Sequence, residues 1–297
     1  MTTPTTTTVT DPRGPRPTRR ADVTDVSAVP VGARTVAALV LAGIAGLLAF
    51  GWPLVVAPGS GLEHGTDAPL VLAGVLVAVV AVVLVSLGDG GLDVKAVAVL
   101  GLLSAVGAVL RPLSAGTAGV ELVFVVIVLG GRVFGPGFGF ALGSTTILAS
   151  AVLTGGVGPW MPFQMLAASW VGLGAGLLPR RVRGAGEVLV LVLYGAVAAF
   201  AFGLAMNLSF WPFSVGSGTG LSFVAGDPVG DNLRRFALFS AATSLGWDVG
   251  RAVTTGVVLA VVGRPALVAL RRTASRAAFA PARTRRVPAP EPTVPGA

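Results

Sequence analysis

Apolar segments long enough to cross a lipid bilayer constrain this 297-residue chain more than any other feature. Residues 35–57 and 69–87 contain no charged side chain, and each is close to the roughly 20 residues that span a hydrocarbon core of ~30 Å. Only 11% of the residues are charged, and the mean hydropathy is +0.85. A soluble domain of this size does not need so much apolar surface, so the sequence predicts an integral membrane protein.

The apolar segments predict an all-α, polytopic membrane helical bundle of about eight transmembrane helices. A flexible GDGGLD hinge at 88–93 ends the N-terminal hairpin that the first two segments form. The run 119–130 has only about 12 residues, so the sequence leaves open whether it crosses alone or continues past Gly131. The later crossings are predicted at 93–110, at 119–130, from 133 or 137 to 153, within 155–183, at 187–208 and at 236–263.

The distribution of charge predicts the orientation of these helices. Residues 1–34, rich in Thr, Pro and Arg, and residues 264–297, basic and rich in Pro and Ala, are expected to be disordered cytoplasmic tails of a multi-pass plasma-membrane protein. A cleaved signal peptide is the alternative for the first tail, but this tail is long and the apolar run after it has full-span length. Three basic residues fall on the predicted outer side. They indicate either an error in the predicted topology or contacts with a ligand, and they are Arg111, Arg234 and Arg235.

The stretch 155–183 joins a Gly/Pro turn, an apolar helix and a burst of arginine. Trp160 in the turn favours a membrane–water boundary, and the arginines at 180, 181 and 183 favour the cytoplasmic side, so this helix is predicted to run inward. Every fourth residue then forms one ridge, on which a neighbouring helix can pack against backbone. The members of the ridge are Gln164, Ala168, Gly172 and Gly176.

Polar and aromatic residues from different parts of the chain share a depth near the predicted outer surface. Taken together they predict an external binding site, because ligand pockets use a few convergent polar groups. Taken singly, each has a plainer explanation, as an interfacial Trp, a snorkelling Arg or an Asn at a helix end. The candidate residues are Arg111, Glu121, Trp160, Gln164, Asn207 and Trp211, the last from a long external loop predicted at 209–235.

Asp248 and Arg251 are charged residues near the middle of the last predicted crossing. Their i,i+3 spacing lets them pair on one helix face. Because ionisable groups inside a bilayer are costly, they suit a ligand or coupling site, yet a self-neutralising pair that joins the bundle fits equally well. Trp247 beside them is interpreted as a pocket wall or as a packed core aromatic.

Several chemistries lack their motifs in this sequence. There is no phosphate-binding G-x-x-x-x-G-K-[ST] loop, no G-x-S-x-G elbow and no cluster with zinc spacing, and cysteine is absent. We therefore expect no catalytic site, no metal and no cofactor. The net charge of +8 lies mainly at the two ends and in short loops, so it indicates topology and not nucleic-acid binding. The single histidine, His64, is most simply a solvated loop residue, with a metal or proton role as the alternative.

Three segments resemble the substrate-binding S component of energy-coupling factor (ECF) transporters. They are AVLRPLSAG at 108–116, GGRVFGPGFGFALGS at 130–144 and GPWMPFQMLAASWVGLGAGLLP at 158–179. The third is the most specific, and Asp248 with Arg251 adds a weaker match. Cobalamin-type S components of actinobacteria are the most similar, with thiamine precursors and riboflavin as the other candidate ligands.

The resemblance implies a six-helix substrate-binding core, which fits 93–263, whereas the hairpin at 35–87 departs from the family pattern. It also implies capture of a vitamin or related micronutrient from outside, gated by loops at 111–119, 154–161 and 209–235. Delivery would follow docking, through small residues of the first core helix, onto a membrane coupling subunit that works with two ATPases. The docking stripe would consist of Gly101, Ala105 and Ala108.

Two rival hypotheses stay open on the sequence alone. A self-contained secondary transporter or channel would use Asp248 and Arg251 for proton or ion coupling. A membrane scaffold without transport activity would bind no small molecule.

Overall fold

The structure is a computed structural model that describes residues 32–54, 73–85 without 75, 79 and 82, 94–114, 119–214 and 218–276. Within these ranges the chain forms helices joined by turns, and no strand occurs among them. The predicted fold class, an all-α polytopic membrane bundle, is confirmed. Residues 1–31 and 277–297 of the predicted tails, the whole predicted loop 58–68 with His64, and the predicted hinge at 88–93 lie outside the described residues.

From α4 to α7, and from α8 to α9, the helices follow one another with short connections. Their bounds are α1 Ala33–Gly51, extended by a 3₁₀ turn at Trp52–Leu54, α2 Leu76–Val85, α3 Val94–Ser114, α4 Val123–Phe134, α5 Pro136–Thr154, α6 Met161–Leu177, α7 Ala185–Ser214, α8 Val229–Thr243 and α9 Leu245–Arg276. In this described part, five helices are long and apolar enough to cross a membrane, namely α1 with its turn, α3, α5, α7 and α9.

Helix α4 answers the question that the sequence left open for 119–130. It continues past Gly131 but has only 12 residues, about 18 Å of helix. It ends where Gly135 adopts a φ of 100°, a conformation that side chains with a Cβ rarely adopt. Nearly every residue of α4 is buried, so this helix lies inside the bundle.

The structure corrects the prediction for the last third of the chain. Residues 209–235 are not one long loop, because α7 continues to Ser214 and α8 begins at Val229. The last long helix begins at Leu245 instead of 236, since the chain breaks at Ser244 after the polar helix α8. It also passes residue 263, where a disordered tail was expected to follow, and reaches Arg276 with Pro265 in its interior.

The predicted ridge of α6 packs against α5 through backbone. A Cβ added to Gly172 would overlap the carbonyl of Gly139, and one added to Gly143 would overlap the backbone of Ala168. Gly176 meets Pro136 at the start of α5 in the same way. Because small residues let two helices approach closely in lipid, this seam confirms the prediction that a neighbour packs on the ridge.

Helix α1 packs on α6 and reaches the end of α7. The ring of Phe50 lies 5.3 Å from that of Phe163 and 5.5 Å from that of Trp170. Two residues further along the chain, the ring of Trp52 lies 5.9 Å from the ring of Phe213, the last aromatic residue of α7. The first helix of the N-terminal hairpin is therefore an integral part of the bundle.

Candidate functional site

Arg111 joins three helices at one end of the bundle, which we call the Arg111 end. Its Nη2 donates a hydrogen bond of 2.9 Å to Oε1 of Gln164, the residue that opens the ridge of α6. Its Nη1 makes a longer contact of 3.4 Å with Oγ of the buried Ser150 in α5. Two of the residues that the sequence placed at one depth, Arg111 and Gln164, thus bond directly to each other.

A polar layer continues below Arg111 between α3 and α5. Ser104 and Thr145 share a hydrogen bond of 2.7 Å. Thr146 is completely buried, its hydroxyl has no hydrogen-bond partner, and its methyl group fills the space that Gly107 leaves open. The region between α3 and α5 below Arg111 therefore contains hydroxyl groups among its apolar side chains, and the hydroxyl of Thr146 is buried at a cost in free energy.

A second charged cluster at the Arg111 end is centred on Arg251. Its Nε lies 2.7 Å from Oε2 of Glu121, and its Nη1 lies 2.7 Å from Oδ1 of Asp248. The guanidinium carbon also lies 5.6 Å and 5.1 Å from the ring centroids of Phe124 and Phe202, close enough for cation–π attraction. With both carboxyl groups ionised, two negative charges face one guanidinium, so the cluster carries a formal charge of −1.

The main chain of α7 is shaped to accept this cluster. Nη1 of Arg251 donates a hydrogen bond of 3.2 Å to the carbonyl of Ala199. One turn later Gly203 leaves the space that the Asp248 carboxylate occupies, because a Cβ added there would overlap that carboxylate. The pair predicted at i,i+3 is therefore present, and Glu121 joins it from the residues before α4.

Asn207 connects α7 to the break between α8 and α9. Its Nδ2 donates to Oγ of Ser240 at 3.2 Å, and its Oδ1 accepts from Oγ of Ser244 at 2.8 Å. The side chain is buried, and both ends of the amide bond within the chain. This arrangement explains why the chain can break at Ser244 without leaving polar groups exposed to lipid.

The three candidate tryptophans have different environments. Trp211 is completely buried, and its Nε1 donates a hydrogen bond of 2.7 Å to the carbonyl of Leu221. Its ring also packs on Phe223 and Phe236, so this side chain belongs to a local core, and its role as a ligand contact stays a prediction. By contrast, Trp160 is 52% exposed, as expected for a residue at a membrane boundary, and Trp247 is 48% exposed and so is not a fully packed core aromatic.

A buried cluster at the opposite end, the Arg132 end, was not among the sequence-based candidates. Nε of Arg132 lies 2.6 Å from Oε1 of Glu187, and Nη2 of Arg271 lies 2.6 Å from the same oxygen. The other nitrogens of Arg132 donate to the carbonyls of Leu178, Pro179 and Val182. The cluster therefore fixes the α6–α7 connection against α4 and α9.

The predicted docking stripe on α3 divides between two faces of the helix. Gly101 and Ala105 are exposed, and no atom lies near the position of a Cβ added to Gly101. Ala108, however, is buried within the chain, so the part of the predicted stripe that a partner could reach consists of Gly101 and Ala105. Over the described residues, no group of three or more His, Cys, Asp or Glu side chains could hold a metal ion.

Comparisons with known proteins agree with this architecture. The family model for "ECF transporter, substrate-specific component" matches residues 95–262, from the start of α3 to the middle of α9. No curated protein and no solved structure matches the chain. Because the family match covers more than half of the sequence, this multi-pass membrane protein belongs to the substrate-specific components of ECF transporters.

Proposed function

We propose that this chain captures a vitamin-class micronutrient, with cobalamin favoured, from outside the cell and passes it to a coupling subunit with two separate ATPases. The family match supports capture and delivery as the general role. The observation that carries the proposal for the site is the bond between Arg111 and Gln164, which joins α3 to α6 at the end where Glu121 and Asp248 also lie. Polar groups from distant parts of the chain thereby face one region.

The orientation follows from the arginine-rich opposite end. The α6–α7 connection that Arg132 holds contains Arg180, Arg181 and Arg183. Arg272 lies in α9, next to Arg271 of the same cluster. Because cytoplasmic loops of membrane proteins carry an excess of Lys and Arg, we place the Arg132 end and both termini in the cytoplasm. The Arg111 end then faces the exterior, where a captured solute enters.

The polar groups at the Arg111 end restrict what the site can bind. The Arg251 cluster brings two carboxyl groups and a guanidinium to this end, and Arg111 brings a second guanidinium bonded to an amide. A ligand with several polar groups can contact both sets, and helix α8 with the turns before it is the candidate cover for a bulky molecule. Cobalamin meets this description, and thiamine precursors and riboflavin are the alternatives for the test.

Docking uses the exposed face of α3. Gly101 and Ala105 lie one turn apart and leave the helix backbone accessible over that turn. Small residues of this kind let a partner helix approach closely inside lipid. Gly101→Leu should therefore prevent assembly with the coupling subunit while solute binding to the isolated chain is unchanged.

The experiment that tests the proposal is measurement of small molecules bound to the purified full-length protein. We expect cobalamin to co-purify from cells supplied with it, and Arg111→Ala to reduce its affinity at least ten-fold, about 1.4 kcal/mol. Recovery of no vitamin under saturating supply would contradict solute capture. Recovery of riboflavin or a thiamine precursor instead would keep the role and correct the ligand.

A secondary transporter is the alternative that one observation favours, since Asp248 and Arg251 are buried charges inside a spanning helix. Liposomes that contain only this chain distinguish the two functions. A pH step should drive solute uptake in the alternative, and Asp248→Asn should abolish it. Tight binding without any gradient and no uptake supports the capture subunit.

A further inference from the structure

A groove on the exterior of α1 is separate from the site described above. It has a volume of about 680 Å³ and is lined by α1 and by Ala78 of α2. Its described lining combines alanines such as Ala38 and Ala45 with larger side chains such as Leu41 and Leu48. Among these described lining residues, Arg34 at one extremity is the only charged one.

The position of Arg34 indicates the depth at which the groove lies in the membrane. The other extremity of α1 carries Phe50, which packs on Phe163 at the Arg111 end of α6. Arg34 therefore lies at the Arg132 end of the bundle, where the described arginines are concentrated. It is exposed, and it stands at the first turn of a helix that is long enough to span the bilayer, which is the depth of the lipid headgroups.

The length of the groove and the charge at its end favour a lipid as its occupant. Between Arg34 and Leu48 the helix rises about 21 Å, which is about two-thirds of a ~30 Å hydrocarbon core, and a single hydrocarbon chain fits along an apolar groove of this length. Arg34 at the headgroup end complements an anionic headgroup, and this charge favours a lipid over a partner helix.

We propose that this groove binds one anionic phospholipid of the cytoplasmic leaflet, with an acyl chain along α1 and the phosphate on Arg34. The apolar lining favours an acyl chain but does not distinguish one lipid from another, because the lining residues that the structure describes include no polar side chain other than Arg34. The guanidinium supplies the preference for a net negative headgroup, since one basic residue at a membrane surface favours anionic lipid by about five-fold. The site is thus a lipid-binding site of the hairpin, independent of the solute that the Arg111 end takes.

The test is competition between lipids for the full-length protein in detergent, measured by native mass spectrometry. The probes are phosphatidylglycerol and phosphatidylcholine with identical 16:0/18:1 chains at equal concentration. We expect the wild type to retain phosphatidylglycerol about five-fold over phosphatidylcholine. Glycerol 3-phosphate should not displace it, because the acyl chain provides most of the binding.

Two variants separate the headgroup contribution from that of the chain. Arg34→Gln should bind both lipids equally, whereas Ala45→Phe should fill the groove and retain neither. Their controls are Arg272→Gln, an exposed arginine outside the groove, and Leu47→Phe, an exposed position of α1 that does not line it. Both controls should behave as the wild type.

Three results would overturn the proposal. The first is equal retention of the two lipids by the wild type, and the second is an unchanged preference in Arg34→Gln. The third is a change of oligomeric mass in Ala45→Phe without loss of lipid, which would assign the groove to a protein partner. Arg34→Gln alters an exposed side chain, so its result stands even if Ala45→Phe does not fold.

Discussion

Replacing Arg132 by methionine is the perturbation whose effect the structure defines best. The side chain of Arg132 is 4% exposed and that of Glu187 is 2% exposed, so water does not screen their ion pair. The substitution also removes the donors for the carbonyls of Leu178, Pro179 and Val182. Breaking a buried ion pair by removing one partner costs about 4 kcal/mol, which corresponds to a decrease in Tm of roughly 10 °C.

Arg271 provides a matched control within the same cluster. It bonds to the same oxygen of Glu187 at the same distance of 2.6 Å, but its side chain is 42% exposed. Because exposed ion pairs contribute about 1 kcal/mol or less, Arg271→Gln should lower Tm by only a few degrees. The distance to Glu187 is equal in the two pairs, so the difference between the variants measures the effect of burial together with the three carbonyl bonds that Arg132 makes.

A double variant tests the same reasoning in the opposite direction. In Arg132→Met the carboxylate of Glu187 stays buried with only its exposed partner, whereas Arg132→Met with Glu187→Leu leaves no buried charge. Apolar replacement of a whole buried pair is often neutral, so the double variant should recover much of the lost stability. Thermal unfolding of the purified proteins in one detergent supplies all four values. Equal decreases for Arg132→Met and Arg271→Gln, or a double variant less stable than Arg132→Met, would refute the argument.

Three further predictions follow from single contacts. Gly143→Ala should prevent close packing of α5 on α6 and lower Tm by 10 °C or more, whereas Gly101→Ala, with open space around it, should leave Tm within about 2 °C. Gly203→Ala should displace the carboxylate that occupies its space and weaken solute binding more than ten-fold by titration calorimetry, and unaltered affinity would show that the Arg251 cluster does not contribute. Arg111→Ala should weaken solute binding and lower Tm by several degrees, because it removes the donors to Gln164 and the buried Ser150, while Arg234→Ala, at an exposed position of α8, should change neither quantity.

Local periodicity made part of this structure predictable. The small residues every fourth position in α6 identified the face on which α5 packs, because helix geometry relates those positions directly. The pairing of Asp248 with Arg251 followed from the same regularity, since three residues separate them on one helix. Both predictions needed only the sequence of a single helix.

Contacts between distant segments could not be obtained in this way. Glu187 lies 55 positions from Arg132 and 84 from Arg271, and no repeat in the sequence relates them. The only signal was an acidic residue at the start of an apolar run, which also fits a solvated helix end. Likewise, a tryptophan near the surface of a membrane protein suggests a boundary residue, yet Trp211 is buried because the carbonyl of Leu221 satisfies its N–H.

The aromatic contacts of α1 have a consequence for how this subunit could be shortened. Phe50 stacks against α6, and Trp52 reaches both the final turn of α7 and Phe223 beyond it. A polypeptide shortened to the family-matched region would lose these rings. The apolar side chains of α6 and α7 that they cover would then be exposed. The first helix of the N-terminal hairpin, with the turn that follows it, therefore shields an apolar surface of α6 and α7 that a shortened chain would expose to lipid.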